Sequence, residues 1–152
     1  MKILPLLLVL QCNFLFAQIN KTDSIKQHLD SLNWNSFTIA VTYLAHLKIS
    51  PNAEELTRFD EKQVAAMLFK SLSVESKTVI SHLILFKIFE PEKAGLTTTY
   101  NYKNDSINSP VSFVTFTYNS LSWHFNIENR TYSISDEEID RIKNYWKAKL
   151  NL

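Results

Sequence analysis

The sequence predicts an α+β fold: N-terminal helices, an antiparallel meander of three or four strands, and a C-terminal helix packed on the sheet. Three observations lead to this prediction. Apolar residues recur at helical spacing between residues 22 and 89, alternate with polar residues between residues 97 and 134, and return to helical spacing from residue 135. Helices and strands that occupy separate stretches of a chain are typical of α+β proteins.

The first predicted helix begins near Thr22 or Asp23, either of which can cap it. Its apolar face is formed by Ile25, Leu29 and Leu32. Ser36 can cap a second helix that extends to about Lys48. The same stretch is rich in β-branched residues, which favour a strand, so helix and strand both remain open for residues 37–48.

Further helices are predicted between a boundary at Ser50-Pro51 and the centre of the chain. Ser50 precedes Pro51, and proline is suited to a first helical position. Asp60 stands three residues before Gln63, which is the spacing of a capping box, so another helix is expected to begin there. Residues 77–89 are apolar on nearly all sides, as is typical of a helix buried in the middle of a domain.

Four stretches predict the strands of the meander: residues 97–103, 111–118, 121–127 and 131–134. In residues 121–127 every odd position is large and apolar and every even position is polar. This alternation predicts a strand with one face on the core and the other in solvent. Asn119 and Ser120 predict a tight turn between the second and third strands.

The last helix is predicted to begin at a capping box formed by Ser135 and Glu138. Acidic residues occur at its start and lysines towards its end, which favours the helix through its macrodipole. We expect its apolar stripe to lie across the Trp123 face of the sheet. This stripe consists of Ile139, Ile142, Trp146 and Leu150.

Residues 1–17 predict a cleavable secretory signal peptide. Lys2 precedes an apolar run, and Ala17 supplies the small residue that a signal peptidase needs before its cut. The ending Leu15-Phe16-Ala17-Gln18 resembles the leaders of exported proteins of Bacteroidetes-type bacteria, and the resemblance covers only the leader. A membrane anchor needs roughly 20 apolar residues, and this run is shorter and interrupted, so no integral membrane span is expected. Lipid attachment at Cys12 is the alternative, although the residue before it is not small.

Residues 18–152 are then expected to form one α+β domain in the periplasm or outside the cell. Cys12 is the only cysteine, so this domain would have no thiol for catalysis, disulfides or metal binding. A content of 45% hydrophobic residues predicts a folded core. The chain has 16 Lys and Arg against 15 Asp and Glu, and loss of Lys2 with the leader makes the two equal. A nucleic-acid partner is therefore not expected, since such proteins carry a basic excess.

No motif in the chain predicts a reaction, a metal site or a cofactor. A single glycine, Gly95, cannot build a P-loop, a dinucleotide fingerprint or a Gly-x-Ser-x-Gly elbow. His82 is expected to be a packed core histidine, and Glu90 and Glu92 are expected to be solvated charges at a helix end. A small hydrolase that gathers His82 or His124 with carboxylates is the alternative.

The aromatic residues of the strand region are the candidates for a binding surface. Tyr100, Tyr102 and Tyr118 belong to predicted strands, and His124 lies on the solvent-facing side of the best-defined strand. Tyrosine offers a large contact area at low entropic cost, which enriches it at interfaces. The leading prediction is a small exported binding protein that recognises an envelope or extracellular protein or glycan. A passive structural component of the envelope is a further alternative.

Overall fold

The computed structural model describes residues 21–41, 45–93 and 95–152 and has the predicted α+β architecture. The helices are α1 (residues 21–30), α2 (Pro51–Glu55), α3 (Glu61–Ser71), α4 (Glu75–Phe89) and α5 (Asp136–Leu150). The strands are β1 (Phe37–Val41), β2 (Ala45–Ile49), β3 (Leu96–Tyr102), β4 (Val111–Tyr118), β5 (Leu121–Asn126) and β6 (Thr131–Ser133). β1 and β2 form an antiparallel hairpin, and β3 to β6 form a four-stranded antiparallel meander in chain order. The predicted signal peptide, residues 1–17, lies outside the described residues.

Residues 37–41 and 45–49 form strands, so the prediction of a helix in this stretch is wrong and its strand alternative is confirmed for the described residues. Phe37 pairs with Ile49, and Ile39 pairs with Leu47. Phe37 and Ile49 are buried, whereas the residues that alternate with these pairs are exposed. A period of two therefore places the apolar side chains on one face, and β-branched residues suit such a half-buried surface.

The core is built around α4, as the apolar sequence of that segment predicts. The helix begins at Glu75, two residues before the expected start, and every residue from Thr78 to Phe86 is buried. It contacts α2, α3 and α5. The predicted start of α3 is also confirmed, because Oδ1 of Asp60 accepts a hydrogen bond of 3.1 Å from the backbone N–H of Gln63.

The cross-strand register decides which face of the meander packs on the helices. Val114 pairs with Phe125, and Phe116 pairs with Trp123. Val114, Phe116 and Trp123 are buried together with Leu121, so these positions mark the inner face. Every second residue points to the same side of a strand, and the residues between them therefore form the outer face.

The turns of the meander use residues other than glycine in the left-handed region. The tight turn at Asn119 and Ser120 is confirmed, with φ angles of 46° and 70°. Positive φ at both central residues is the geometry that matches the twist of a two-residue hairpin. Asn104 and Arg130 have φ angles of 59° and 58° in the other two connections. Asparagine tolerates this region better than most residues, which suits a chain with one glycine.

Helix α5 lies on the inner face, as its apolar stripe predicts. Oγ of Ser135 accepts a hydrogen bond of 3.2 Å from the backbone N–H of Glu138, which confirms the N-cap. The Glu138 carboxylate accepts a hydrogen bond of 2.8 Å from the backbone N–H of Ser122 and so covers part of the β5 edge. Ile142 and Trp146 are buried, and α5 contacts β5. No helix in the described part of the chain is both long and apolar enough for a membrane crossing.

Candidate functional site

The outer face of the meander is the candidate functional site. It consists of the side chains that alternate with the core residues: Thr97, Thr99, Asn101, Phe113, Thr115, Thr117, Ser122, His124, Asn126, Thr131 and Ser133. None of these side chains is buried. None of them is Asp, Glu, Lys or Arg, although these four residue types make up 20% of the chain. The outer face is therefore an accessible polar surface without fixed charge.

A hydrogen-bonded chain crosses three strands at the centre of the outer face. Nδ2 of Asn101 on β3 donates to Oγ1 of Thr115 on β4 at 3.0 Å. The same Oγ1 lies 3.0 Å from Nδ1 of His124 on β5. The arrangement that satisfies all three groups has Thr115 donating to Nδ1, which leaves the imidazole proton on Nε2. Within the described residues Nε2 of His124 has no hydrogen-bond partner, so it is available to a ligand.

Phe113 places an aromatic surface beside this chain. Its side chain is 36% exposed, and its ring meets the His124 ring edge to face, with centroids 5.4 Å apart. Next to them, the hydroxyl groups of Thr117 and Ser122 are 2.8 Å apart. These contacts hold a ring face, an imidazole and several hydroxyl groups in fixed positions on one side of the sheet.

The three tyrosines of the predicted binding set lie on the other side of the sheet from His124. Tyr100 pairs with buried Val114 and is therefore on the inner face, where it stays 45% exposed because β3 is an edge strand. Tyr102 follows a register shift and is half-buried. Tyr118 is also half-buried, and its ring meets the His82 ring at 6.1 Å. The four predicted residues consequently do not form one surface.

His82 is a structural residue at the contact of three elements. It is completely buried, and Nε2 lies 3.2 Å from the backbone oxygen of Tyr118 while Nδ1 accepts a hydrogen bond of 3.0 Å from Nε1 of Trp146. A carbonyl can only accept and an indole N–H can only donate, so His82 is neutral with its proton on Nε2. Burial lowers the pKa of His82 from 6.5 to about 3, although the hydrogen bond to Tyr118 opposes this shift. The packed histidine that the sequence predicts is confirmed.

The histidines do not assemble a site with carboxylates. Nδ1 of His28 contacts Oδ1 of Asn52, and His46 is exposed on β2. Within residues 21–41, 45–93 and 95–152, no histidine forms a hydrogen bond or ion pair with a carboxylate. In the same ranges no group of three His, Cys, Asp or Glu side chains could hold a metal ion. The geometry thus gives the hydrolase alternative no support.

Glu90 is buried, which corrects the prediction of a solvated charge. Only 7% of it is exposed, and its carboxylate pairs with Lys149 and accepts a hydrogen bond of 3.1 Å from the Tyr145 hydroxyl. Burial raises the pKa of the Tyr145 hydroxyl, and the hydrogen bond with Glu90 and its charge raise it further. This cluster joins the end of α4 to α5 and has a structural role.

Of the residues on the outer face, only His124 belongs to the predicted binding set. Asn101 comes from β3 and Phe113 and Thr115 come from β4, and only the register shows that they are neighbours of His124 on β5. The available signal was the alternation in β4, where Phe113, Thr115 and Thr117 share a parity. Comparison of the chain with protein-family models, curated proteins and solved structures finds no match.

Proposed function

We propose that the chain is an exported binding protein that holds a neutral glycan on the outer face of the meander. The observation that supports this function best is the hydrogen-bonded chain of Asn101, Thr115 and His124 beside the exposed ring of Phe113. A sugar presents hydroxyl groups that donate and accept hydrogen bonds, together with apolar C–H patches. The outer face offers a matching group for each of these features.

The absence of charge on the outer face favours a neutral ligand. Surfaces that bind nucleic acids rely on Lys and Arg to neutralise phosphates, and the outer face has neither. Stable protein interfaces are enriched in Arg and in buried aromatic anchors, whereas this face has one partly exposed phenylalanine among short polar side chains. An uncharged, hydroxyl-rich partner therefore fits better than a charged polymer.

In the proposed complex, the pyranose ring stacks on Phe113 and its hydroxyl groups reach the side chains around it. Nε2 of His124 donates to a sugar oxygen, because Nδ1 is engaged with Thr115. The hydroxyl groups of Thr117 and Ser122 each keep acceptor lone pairs for a second sugar hydroxyl. Since these groups are already oriented by each other, little side-chain entropy is lost on binding.

Export is part of the proposal and rests on the signal-peptide pattern of residues 1–17. Cleavage after Ala17 would deliver residues 18–152 to the periplasm or the medium, where envelope and extracellular glycans are the available ligands. A structural role in the envelope would need no defined ligand, so specific binding distinguishes the two possibilities.

A glycan array tests this function. We expect purified residues 18–152 to bind a restricted set of neutral glycans and to ignore sulfated and phosphorylated ones. Phe113→Ala should lose that signal, while Ile107→Ala, which removes another exposed apolar side chain outside the outer face, should keep it. No binding to any neutral glycan, or a preference for polyanions, would contradict the proposal.

A further inference from the structure

The two edges of the meander differ in length and in protection. β6, at one edge, has only three residues, and so short a strand offers few unpaired backbone groups to a neighbour. β3, at the other edge, has seven residues, Leu96–Tyr102, and none of them is charged, a proline or a glycine. Charged side chains, prolines and short strands are the usual means by which a sheet edge is protected from pairing. The β3 edge has none of these protections.

The hydrogen bonds of the meander show which backbone groups of β3 face its free edge. The N–H of Ile127, which follows β5, donates to the carbonyl of Ser112 at 3.2 Å. Even-numbered residues of β4 therefore direct their main-chain groups towards β5, and odd-numbered ones, such as Thr115, direct theirs towards β3. Thr99 pairs with Thr115, so the N–H and C=O of Thr99 point towards β4.

Thr98 and Tyr100 alternate with Thr99, so their N–H and C=O groups point to the free edge. In the part of the chain that the structure describes, no strand pairs with this edge, because the nearby β2 belongs to a separate sheet. No side chain in the same ranges hydrogen-bonds to these groups. The Tyr100 side chain is also 45% exposed. Such an edge is ready to pair with a further strand.

Strand β3 is complementary to itself when two copies are paired antiparallel about Thr99. In this register Thr98 of each copy lies opposite Tyr100 of the other, so the outward-pointing groups of both strands meet as hydrogen-bonded pairs. On the outer face Thr99 lies opposite Thr99, and Thr97 lies opposite Asn101, so polar side chains meet polar ones. No like charges come together, because the strand has no charged residue.

We infer that β3 pairs antiparallel with β3 of a second copy of this chain. The pairing joins two four-stranded meanders into one continuous sheet with a two-fold axis at Thr99. The same patch is used on both copies, which is the isologous arrangement of symmetric dimers. The exposed Tyr100 ring then packs beside Thr98 of the second copy. This match along the centre of the strand favours a second copy over a foreign strand.

Analytical ultracentrifugation of purified residues 18–152, without any ligand, tests the dimer. Pairing of one strand gives a small interface, so the concentration should range from about 10 μM to about 1 mM. We expect the weight-average mass to rise from that of the monomer towards twice that value.

Amide hydrogen exchange, followed by NMR across the same concentrations, locates the interface. The amides of Thr98 and Tyr100 should exchange roughly tenfold more slowly once nine tenths of the chains are paired, because only free chains then exchange. The amides of Thr97 and Thr99 should keep their rates, since they are bonded to β4 in the monomer as well.

A pair of charge variants tests the register. Thr99→Lys and Thr99→Glu each place like charges opposite each other across the axis and should weaken the dimer by about fivefold. An equal mixture of the two should restore dimerisation, because lysine then meets glutamate. Thr38→Lys, which changes an exposed threonine of β1, is the matched control and should dimerise like the wild type.

A backbone variant tests the hydrogen bonds. Thr98→Pro removes an N–H that points to the free edge, where proline is compatible with a strand. It should keep the circular dichroism of the wild type and weaken the dimer on the order of tenfold or more, since the bond is lost in both copies.

A monomer at every concentration would overturn the inference. So would equal dimerisation of Thr99→Lys and Thr38→Lys, no recovery in the mixture, or slowed exchange only at amides outside β3. None of these results bears on glycan binding, because the experiment contains no glycan and the ring of Phe113 and the imidazole of His124 belong to β4 and β5.

Discussion

Acidification between pH 7 and pH 4 is expected to destabilise the wild-type protein through His82, and His82→Gln should remove that dependence. The pKa of His82 is about 3 in the folded protein and 6.5 when the side chain is exposed. Below pH 6.5 the His82 side chain is protonated in the unfolded chain, whereas in the folded protein it stays neutral until the pH falls to about 3. The contribution of His82 to stability is therefore fully present above pH 6.5 and is lost progressively as the pH falls towards 3.

The size of the effect follows from the pKa difference. Each pH unit within this window corresponds to about 1.4 kcal/mol, so roughly 3 kcal/mol should be lost between pH 6.5 and pH 4. A domain of this size has a free energy of unfolding of about 5–15 kcal/mol, so the loss is readily measured. Glutamine can accept from Trp146 and donate to the Tyr118 carbonyl, but it does not titrate in this range.

Urea unfolding of the wild type and His82→Gln at pH 7, 6, 5 and 4 is the assay. Between pH 7 and pH 4, the free energy of unfolding of the wild type should fall by roughly 3 kcal/mol relative to that of His82→Gln. The carboxylates that titrate in this range are common to both proteins, so their contribution cancels in the difference. His46→Gln, at an exposed position, is the control, and its difference from the wild type should stay within about 0.5 kcal/mol. A constant difference between wild type and His82→Gln would refute the assignment of His82 as a buried neutral residue.

Mass spectrometry of the exported protein is expected to find Gln18 as the N-terminus, and an intact leader or a lipid on Cys12 would contradict the export prediction. Ser135→Ala removes the hydrogen bond that caps α5 and should lower the free energy of unfolding by about 1 kcal/mol in urea titrations. An unchanged midpoint would show that this cap does not stabilise the helix. Thr115→Val keeps the strand but removes the partner of Nδ1 of His124, so ¹⁵N NMR should show a changed tautomer balance. Identical imidazole shifts in the two proteins would contradict the hydrogen-bonded chain.

The elements that the sequence predicts well are those whose signals are local. Asp60 and Ser135 each cap a helix by accepting a hydrogen bond from the backbone N–H three residues later. The residues that define each helix start therefore lie within one helical turn of one another. The strand beginning at Leu121 is likewise defined by alternation over a few residues. The secondary structure of residues 37–48 was harder to predict, because their β-branched residues favour strands while the spacing of their apolar residues is also compatible with a helix.

Which residues share a face of the site, and which are buried, could not be predicted from the sequence because both depend on contacts between residues far apart in the chain. Tyr100 and His124 lie on opposite faces because of the register between β3, β4 and β5, which no single strand encodes. Glu90 is buried because Tyr145 and Lys149, which come more than fifty residues later, cover it. The position of His124 on the solvent-facing side of β5 could be predicted, since the alternation within that strand alone determines which side chains face solvent.

The most direct test of the proposed function compares two exposed aromatic residues on opposite faces of the same sheet. The affinity for the glycan that gives the strongest array signal would be measured by calorimetry for Phe113→Ala and Tyr100→Ala. Phe113→Ala is expected to lose about tenfold in affinity, equivalent to about 1.4 kcal/mol, because the stacking surface is removed. Tyr100→Ala should keep the wild-type affinity within about twofold, which is far smaller than the tenfold loss expected for Phe113→Ala. A loss of affinity in Tyr100→Ala with none in Phe113→Ala would place the ligand on the inner side of the edge strand and contradict binding at the outer face.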